Sequence, residues 1–408
     1  RAGATASSSR PIHLRVDLTL VLNVALLLVF GILMVYSSSY DISFRMDGDP
    51  FGIVRRQSLL MLLGVVGAAV LTFIDYHFYQ RVAVPIIAVT ILALVAVQFT
   101  SSADSLYQRT LLPDSVQPSE LAKLAIIIYL AVWLFSKRDV LHDVQFGLAP
   151  LAIILGVVSG LIAIQPDYSA MITILVLGGA LFFLAGAAIR QLAILAVLTG
   201  LAGMVVYIAK KTVSARVEGF IAGIRNPLQA PDQVQRSIES FINGGLFGVG
   251  IGKGQTKLTA LQFPHTDSVF AVVGEETGML GAIFLLALFS VLLWRGFKIA
   301  NQAPDQLGSL LAAGLTLWIA FEAFINMASV VSLIPFAGNA LPFISVGGSS
   351  LVMTLAAIGI LLNISRLSVQ NQDANGRTFS EVVDLRGRNR RRRVSRSDRS
   401  ASAHPEVS

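Results

Sequence analysis

The chain of 408 residues contains no cysteine. Disulfides, thiolate metal ligands and cysteine nucleophiles are therefore excluded, while the compartment stays open. Charge is also scarce. Only 13% of the residues are Asp, Glu, Lys or Arg, whereas an ordinary soluble domain carries about twice that share. Apolar residues make up 54% of the chain, and the mean hydropathy is +0.71. One large water-soluble core is set aside on these grounds, and the relevant solvent is a bilayer. The net charge of +7 comes largely from the tail "RGRNRRRRVSRSDR". That run reads as a disordered segment lying against anionic lipid or a partner, or as a solvated tail that fixes topology. No nucleic-acid partner is expected.

A span needs about 20 mostly apolar residues. On that template the chain predicts an all-α polytopic membrane protein with about ten transmembrane helices. They fall near 17–38, 52–73, 80–100, 118–136, 148–164, 168–187, 190–208, 269–295, 308–333 and 344–365. The fifth and sixth runs, split by "QPDYS", could also form one broken element. The apolar run after "RAGATASSSRPIHLR" is too long for a signal-peptide core and lacks a small-residue cleavage site, so it is expected to be retained. With the N-terminus inside, Arg10, Arg15, Arg81, Lys137, Arg138, Arg190, Arg295, Lys298 and the Arg-rich tail all face the cytoplasm. Both termini are then cytoplasmic. The domain reading is a short N-terminal segment at 1–16, a membrane domain at 17–367 and a basic disordered tail at 368–408.

One connection stands apart. Residues 209–268 form an outer segment that is Gly-rich and basic, far beyond ordinary loop length. Short amphipathic helices lying on the outer membrane surface are expected there. Its glycines, in "NGGLFGVGIGKGQ", fit neither a dinucleotide fingerprint nor a P-loop, because Gly252-Lys253 is followed by Gly254 where Ser or Thr is required. They mark a backbone that turns tightly or approaches a neighbour closely.

Ionisable residues inside apolar runs are expensive, and each one invites a reason. In "VQPSELAKL", Pro118 suits a first helical turn and Glu120 the positive end of the dipole, with Lys123 one turn on. Asp167 in "IQPDYSA" reads first as an N-cap. Glu322 and Asn326, at i and i+4, read first as interhelical glue and second as site. The turn "IPFAGNALPFISVGGSS" is irregular backbone that only protein or a water-filled cavity can cover, so it argues for an outward-facing cavity. In "LQFPHTDSVFAVVGEETGMLG", Thr266 or Asp267 could cap the following helix. Capping leaves Glu275 and Glu276 unexplained, because they lie roughly 12 to 14 Å further along at 1.5 Å per residue. Together with Lys123, Arg109, Asp167 and the basic loop they describe a polar chamber open to the outside.

The blocks "MVYSSS" (34–39), "QPSELAKL" (117–124), "QPDYSA" (165–170), "GGLFGVGIGKGQTKL" (244–258), "HTDSVFAVVGEETG" (265–278) and "LPFISVGGSS" (341–350) resemble, in order and spacing, the SEDS family of FtsW, RodA and SpoVE. The resemblance covers residues 15–367, and its "MVYSSS" and "GGLFGVGIG" blocks look more like the FtsW branch than RodA. It implies a ten-helix peptidoglycan glycosyltransferase in the bacterial cytoplasmic membrane, polymerising lipid II on the outer face into a glycan strand. It also implies a class B penicillin-binding transpeptidase as partner, in division or in elongation. By motif, Asp267 corresponds to the family's essential aspartate. Arg109, Glu120, Lys123, Asp167, Arg216, Gln235, Lys257, His265, Thr266, Glu276 and Ser349 fall at substrate-contact positions. The chain departs from the usual pattern at Ser268, where Phe is common, at Val346, where Tyr is common, and at Gln262, Phe263 and Pro264, where Pro-Glu is common. It keeps Arg109 but lacks the usual Arg-Trp pair of that loop.

The implied chemistry suits the residues. A polyprenyl-pyrophosphate departs as a stable anion, so one base and several cations should suffice where a glycoside hydrolase needs two carboxylates. Asp267 is expected to take the proton from the 4-hydroxyl of the acceptor GlcNAc. The anomeric carbon of the donor MurNAc is then attacked with inversion, giving a β-1,4 bond. Arg109, Lys123, Arg216 and Lys257 are the candidates for contacting pyrophosphate. No metal ligand set is read from the sequence, and a divalent cation (Mg or Mn) bridging pyrophosphate and a carboxylate is compatible with this chemistry. The alternative is a flippase for lipid-linked precursors, which polar groups in a cavity would also suit. A scaffold recruited by its basic tail leaves Lys123, Glu275 and Glu276 without a role.

Overall fold

The computed structural model describes residues 16–100, 117–259 and 261–370. Among them the regular elements are helical. The first seven long helices are α1 Leu18–Asp47, α2 Gly52–Phe73, α3 Tyr79–Thr100, α4 Pro118–Ser136, α5 Ala149–Ile164, α6 Tyr168–Leu184 and α7 Ile189–Ala209. Three short helices, α8 Lys211–Arg225, α9 Asp232–Gly244 and α10 Thr256–Thr259, precede α11 Val269–Gln302 and α12 Gln306–Val330. The last, α13, spans Gly348–Gln370. Nine of these, with α5 counted together with the helical turn Val144–Leu148 that leads into it, are long and apolar enough to cross a bilayer, and α6 is a shorter apolar helix. The chain is therefore a multi-pass membrane protein with its spans where apolar length placed them. The N-terminal segment, Arg109 and the basic tail lie outside the described residues.

Local chemistry sets the helix ends. The Asp17 carboxylate accepts from Leu20 N at 3.0 Å and opens α1, and Asp305 accepts from Gly308 N at 2.8 Å and opens α12. Helix α1 runs nine residues beyond its expected end at 38, because the chain meets no stop before Gly48, whose φ of 70° closes the helix. The alternation of spans gathers the start of α4, the α5–α6 turn, residues 210–268 and the α12–α13 connection at one end of the bundle. Arg81, Lys137, Arg138, Arg190 and Lys298 sit at the other. Helices α4 and α12 are heavily enclosed by protein, whereas α7 buries little of itself.

The expected span at 269–295 is a broken helix. At Gly278 (φ 70°, ψ −172°) the α11 ladder is interrupted. That break frees the carbonyls of Glu275 and Glu276 and the amides of Met279 and Leu280. The Gly-rich loop answers them one for one. Val249 N and Gly250 N donate to Glu275 O and Glu276 O at 3.0 Å each, while Met279 N and Leu280 N donate to Gly245 O (2.9 Å) and Leu246 O (3.2 Å). Broken backbone at membrane depth is tolerated only when such partners exist. The fit requires glycine at 248, where φ is 77° and a Cβ would collide with the Glu276 carbonyl.

Gly248→Ala is expected to cost about 2–4 kcal/mol, combining positive-φ strain with a backbone clash. Gly252→Ala, also at positive φ but with open space around it, should cost only about 1–2 kcal/mol. Thermal unfolding of the two variants in detergent checks the difference, and equal costs would remove the stitch as the reason.

Candidate functional site

Two adjoining cavities of about 360 Å³ and 410 Å³ open at the end of the bundle that gathers these loops, and they share Asp167, Ser169, Phe263, Asp267 and Gly338. Five membrane helices or their connections supply the walls. Gln117 stands just before α4. Its amide N–H donates to Ser349 Oγ of α13 (2.9 Å), and its side chain donates to Asp167 Oδ2 (3.0 Å). Ser119 donates to the same Asp167 oxygen at 2.8 Å. Asp167 also caps α6, accepting from Ala170 N at 3.3 Å. The cap read from the sequence is thus one of several bonds, and the carboxylate ties α4 to α6.

One turn deeper, the Lys123 ammonium sits between two carboxylates. It donates to Glu120 at 2.8 Å and is bonded closely to Glu322 of α12. It also lies 5.6 Å from the ring centroid of Trp318. Lys123 is 3% exposed and Glu322 likewise, so this is an ion triad inside protein. All three line the cavity wall, but the ammonium is already committed to protein carboxylates.

Asp267 is carried on a turn, outside any helix. The Thr266 and Ser268 amides both donate to the Phe263 carbonyl at 3.2 Å, and Phe263 itself holds φ 51°, a strained value for an aromatic residue. The turn is laced to the α12–α13 connection. Val346 N donates to His265 O (2.8 Å), and Ser345 Oγ donates to Thr266 O (2.5 Å). Ser268 donates to Gln262 O and accepts from Gln233 of α9, both at 2.9 Å. Opposite Asp267 lies Arg216 of α8, whose guanidinium reaches the Ala337 carbonyl at 3.5 Å. A Cβ at Gly338 would stand 3.5 Å from an Asp267 carboxylate oxygen and 3.8 Å from an Arg216 nitrogen. Both groups therefore face one bare stretch of backbone. Gly338 holds φ 66°, so glycine serves the turn and the open space together.

The structure brings together Glu120, Lys123, Asp167, Arg216, Thr266, Asp267 and Ser349 around these cavities. It places others elsewhere. Lys257 and Glu276, expected in the chamber, form a separate cluster with Ser37 of α1. Lys257 Nζ is 2.5 Å from Glu276 and 2.7 Å from Ser37 Oγ, and Ser37 donates to Glu276 at 2.6 Å. Glu275 accepts from Gln255 N (2.9 Å), Thr256 N (3.1 Å) and Thr256 Oγ (3.0 Å), capping α10. The two glutamates need no aqueous chamber, because they anchor the outer segment onto α11. Gln235 donates to Leu228 O (3.0 Å) and Ala230 O (2.7 Å) within that segment. His265 reaches the site through its backbone. Its ring Nδ1 is buried without a hydrogen-bond partner among the described residues, and desolvation pushes its pKa below the usual histidine value. Arg109 lies outside the described residues. Gln117, Ser169 and Asn339 line the cavity without having been singled out in the sequence. Their signal was adjacency to "QPSE", "QPDYS" and "AGNALP", which are polar interruptions at helix ends.

The FtsW, RodA and SpoVE pattern, described as cell cycle protein, matches residues 18–370. A probable peptidoglycan glycosyltransferase FtsW of Trichlorobacter lovleyi is 38% identical over 357 residues, covering 86% of this chain and 93% of the relative. A solved chain from work on the coordination of polymerization and crosslinking by a peptidoglycan synthase complex is 28% identical with a TM-score of 0.69, covering 86% of this chain and 98% of that one. The crystal structure of Thermus thermophilus rod shape determining protein RodA is 27% identical with a TM-score of 0.64, covering 87% and 98%.

Two measurements test this geometry. Lys123→Met leaves Glu120 and Glu322 facing each other without their counter-ion, and should cost about 3–5 kcal/mol of stability; unfolding in detergent close to that of the parent would contradict the triad. His265 resists protonation in the folded state, so below about pH 6.5 the unfolded state binds the extra proton and stability falls as pH falls. His265→Gln should lose less stability than the parent between pH 7.5 and 5.5, as read by paired thermal melts.

Proposed function

This chain belongs to the FtsW, RodA and SpoVE family of cell cycle proteins, and from that premise we propose that it is a membrane-embedded peptidoglycan glycosyltransferase. Its substrate is a polyprenyl-pyrophosphate-linked disaccharide-peptide, lipid II. Its product is a β-1,4-linked glycan strand on the outer face of the cytoplasmic membrane. A relative solved within a peptidoglycan synthase complex supports assembly with a crosslinking enzyme, which we take to be a class B penicillin-binding transpeptidase.

One observation carries the reading at the level of residues. A carboxylate on a strained turn, Asp267, faces a guanidinium, Arg216, across Gly338 in a cavity among membrane helices. We assign Asp267 as the general base for the 4-hydroxyl of the acceptor sugar. Proton removal of this kind is worth about 10²–10⁴-fold. Attack then inverts the anomeric carbon of the donor, and the bond to pyrophosphate breaks with its electron pair on the phosphate oxygen. Among the described residues Arg216 is the cavity cation placed to meet that developing charge, and its planar fork suits two phosphate oxygens. Lys123 supports the reaction from behind. By holding Glu120 and Glu322 it offsets part of their negative charge and fixes both in the cavity wall.

A divalent cation, if it takes part, would draw most of its oxygen ligands from the pyrophosphate, because among the described residues no three His, Asp or Glu side chains are placed to hold one. Arg109 is proposed as a further phosphate contact on the family resemblance alone.

The test uses the purified chain with its transpeptidase partner in detergent, where no membrane sidedness exists. Labelled lipid II should be converted to glycan chains, which a flippase would not produce. Asp267→Asn should lower the rate by at least about 10²-fold while a substrate analogue still binds. Full polymerisation by Asp267→Asn would falsify the assignment.

A further inference from the structure

A base works only at the position where it is held, and Asp267 sits on a turn with no helix of its own. Three ties on that turn come from residues outside the spanning helices. Ser345 and Val346 belong to the α12–α13 connection, and Gln233 belongs to α9 of the outer segment. A fourth comes from a spanning helix. Asn326 of α12, 1% exposed, donates from Nδ2 to the Asp267 carbonyl at 3.0 Å and also to the Asn339 carbonyl at 2.6 Å. Asn339 returns its own Nδ2 to the Glu322 carbonyl at 2.9 Å, one turn earlier in α12. The Glu322 side chain is the partner of Lys123.

We infer that Asn326 is a positioning residue for glycosyl transfer, its amide fixing the Asp267 backbone and the 337–340 backbone in register with the Lys123 triad. The inference rests on the role assigned above to Asp267. A carboxamide is the group this requires. One planar NH₂ offers two protons at a fixed angle, and here they meet two carbonyls from chain segments 72 residues apart, Asp267 and Asn339. A hydroxyl can donate only once. A carboxylate of the same shape would turn two attractions into repulsions against carbonyl oxygens. Asn326 does not line the cavity, so it acts through Asp267 and the Gly338 turn and has no contact with substrate.

The consequence is a split between binding and turnover. Arg216 and the walls supplied by α4, α6 and α13 remain when Asn326 is shortened, so substrate still binds. The base drifts from its proton, and a misplacement of about 1 Å can cost on the order of 10²-fold. The experiment measures kcat and KM for labelled lipid II with the detergent-purified complex of the chain and its transpeptidase, alongside thermal melts. Asn326→Ala should lose about 10- to 100-fold in kcat per folded enzyme, with KM within about threefold. Asn326→Ser, which keeps one donor, should fall between the parent and Asn326→Ala. Asn339→Ala leaves the Asn326 bond to Asp267 in place and should lose less than Asn326→Ala.

A parent-like kcat in folded Asn326→Ala overturns the inference. A lower kcat matched by a rise in KM and a fall in Tm overturns it too, leaving Asn326 as packing alone. Failure of both Asn326 variants to fold has the same meaning. Asp267→Asn run beside them separates the layers. If that variant stays active, the reading of Asp267 is wrong; if it is inactive while Asn326→Ala is parent-like, only the positioning role falls.

Discussion

The Lys123 ammonium held between Glu120 and Glu322 is the interaction on which the rest of the site depends. Taking such a charge out of water costs several kcal/mol, and the cost is offset only by close partners with good geometry. The partners lie on two different helices, so satisfying the charge also locks α4 against α12. From that lock the remaining register follows outward. The start of α4 reaches Asp167 of α6 and Ser349 of α13 through Gln117. The next turn of α12 reaches the Asp267 turn and the α12–α13 connection through Asn326.

A second constraint concerns the backbone. A helix broken within hydrocarbon exposes donors and acceptors that lipid cannot meet. The chain meets them by laying residues 245–250 against the break at Gly278, and it secures that loop with Glu275 on α10 and Glu276 on Lys257 and Ser37. The polar residues of the apolar stretches therefore divide into two groups of different purpose. One group anchors the outer segment and makes its bonds within the protein. The other lines an open cavity and keeps part of its surface for a ligand.

The departures from the family pattern become intelligible on these terms. Ser268 is buried, and both its bonds run to the segment beneath and beside it; it closes the Asp267 turn by hydrogen bonding where a larger aromatic would close it by bulk. Val346 contributes its backbone N–H to the His265 carbonyl, a role that any residue but proline can fill. The turn that carries the base thus keeps its lacing despite the changed side chains. The positive φ at Phe263 and Gly338 is held by that lacing from both sides.

By itself the sequence determined the bilayer as solvent, about ten apolar segments with their approximate ends, and the cap at Asp167, because length, hydropathy and capping are local quantities. It also marked "HTD", "QPSE", "QPDYS" and the 335–350 turn as polar places at helix ends. Which of those places meet was a matter for the tertiary structure alone. Glu276 and Asp267 are separated by nine positions and carry the same chemical group, yet one faces Lys257 in a closed cluster and the other an open cavity. The lacing of the Asp267 turn and the loop packed on the Gly278 break beside Glu276 set that difference, and both depend on partners elsewhere in the chain. The pairing of Lys123 with Glu322, 199 residues apart, was likewise invisible until the helices packed, because an ion pair is decided by distance in space, and nothing in residue order fixes it.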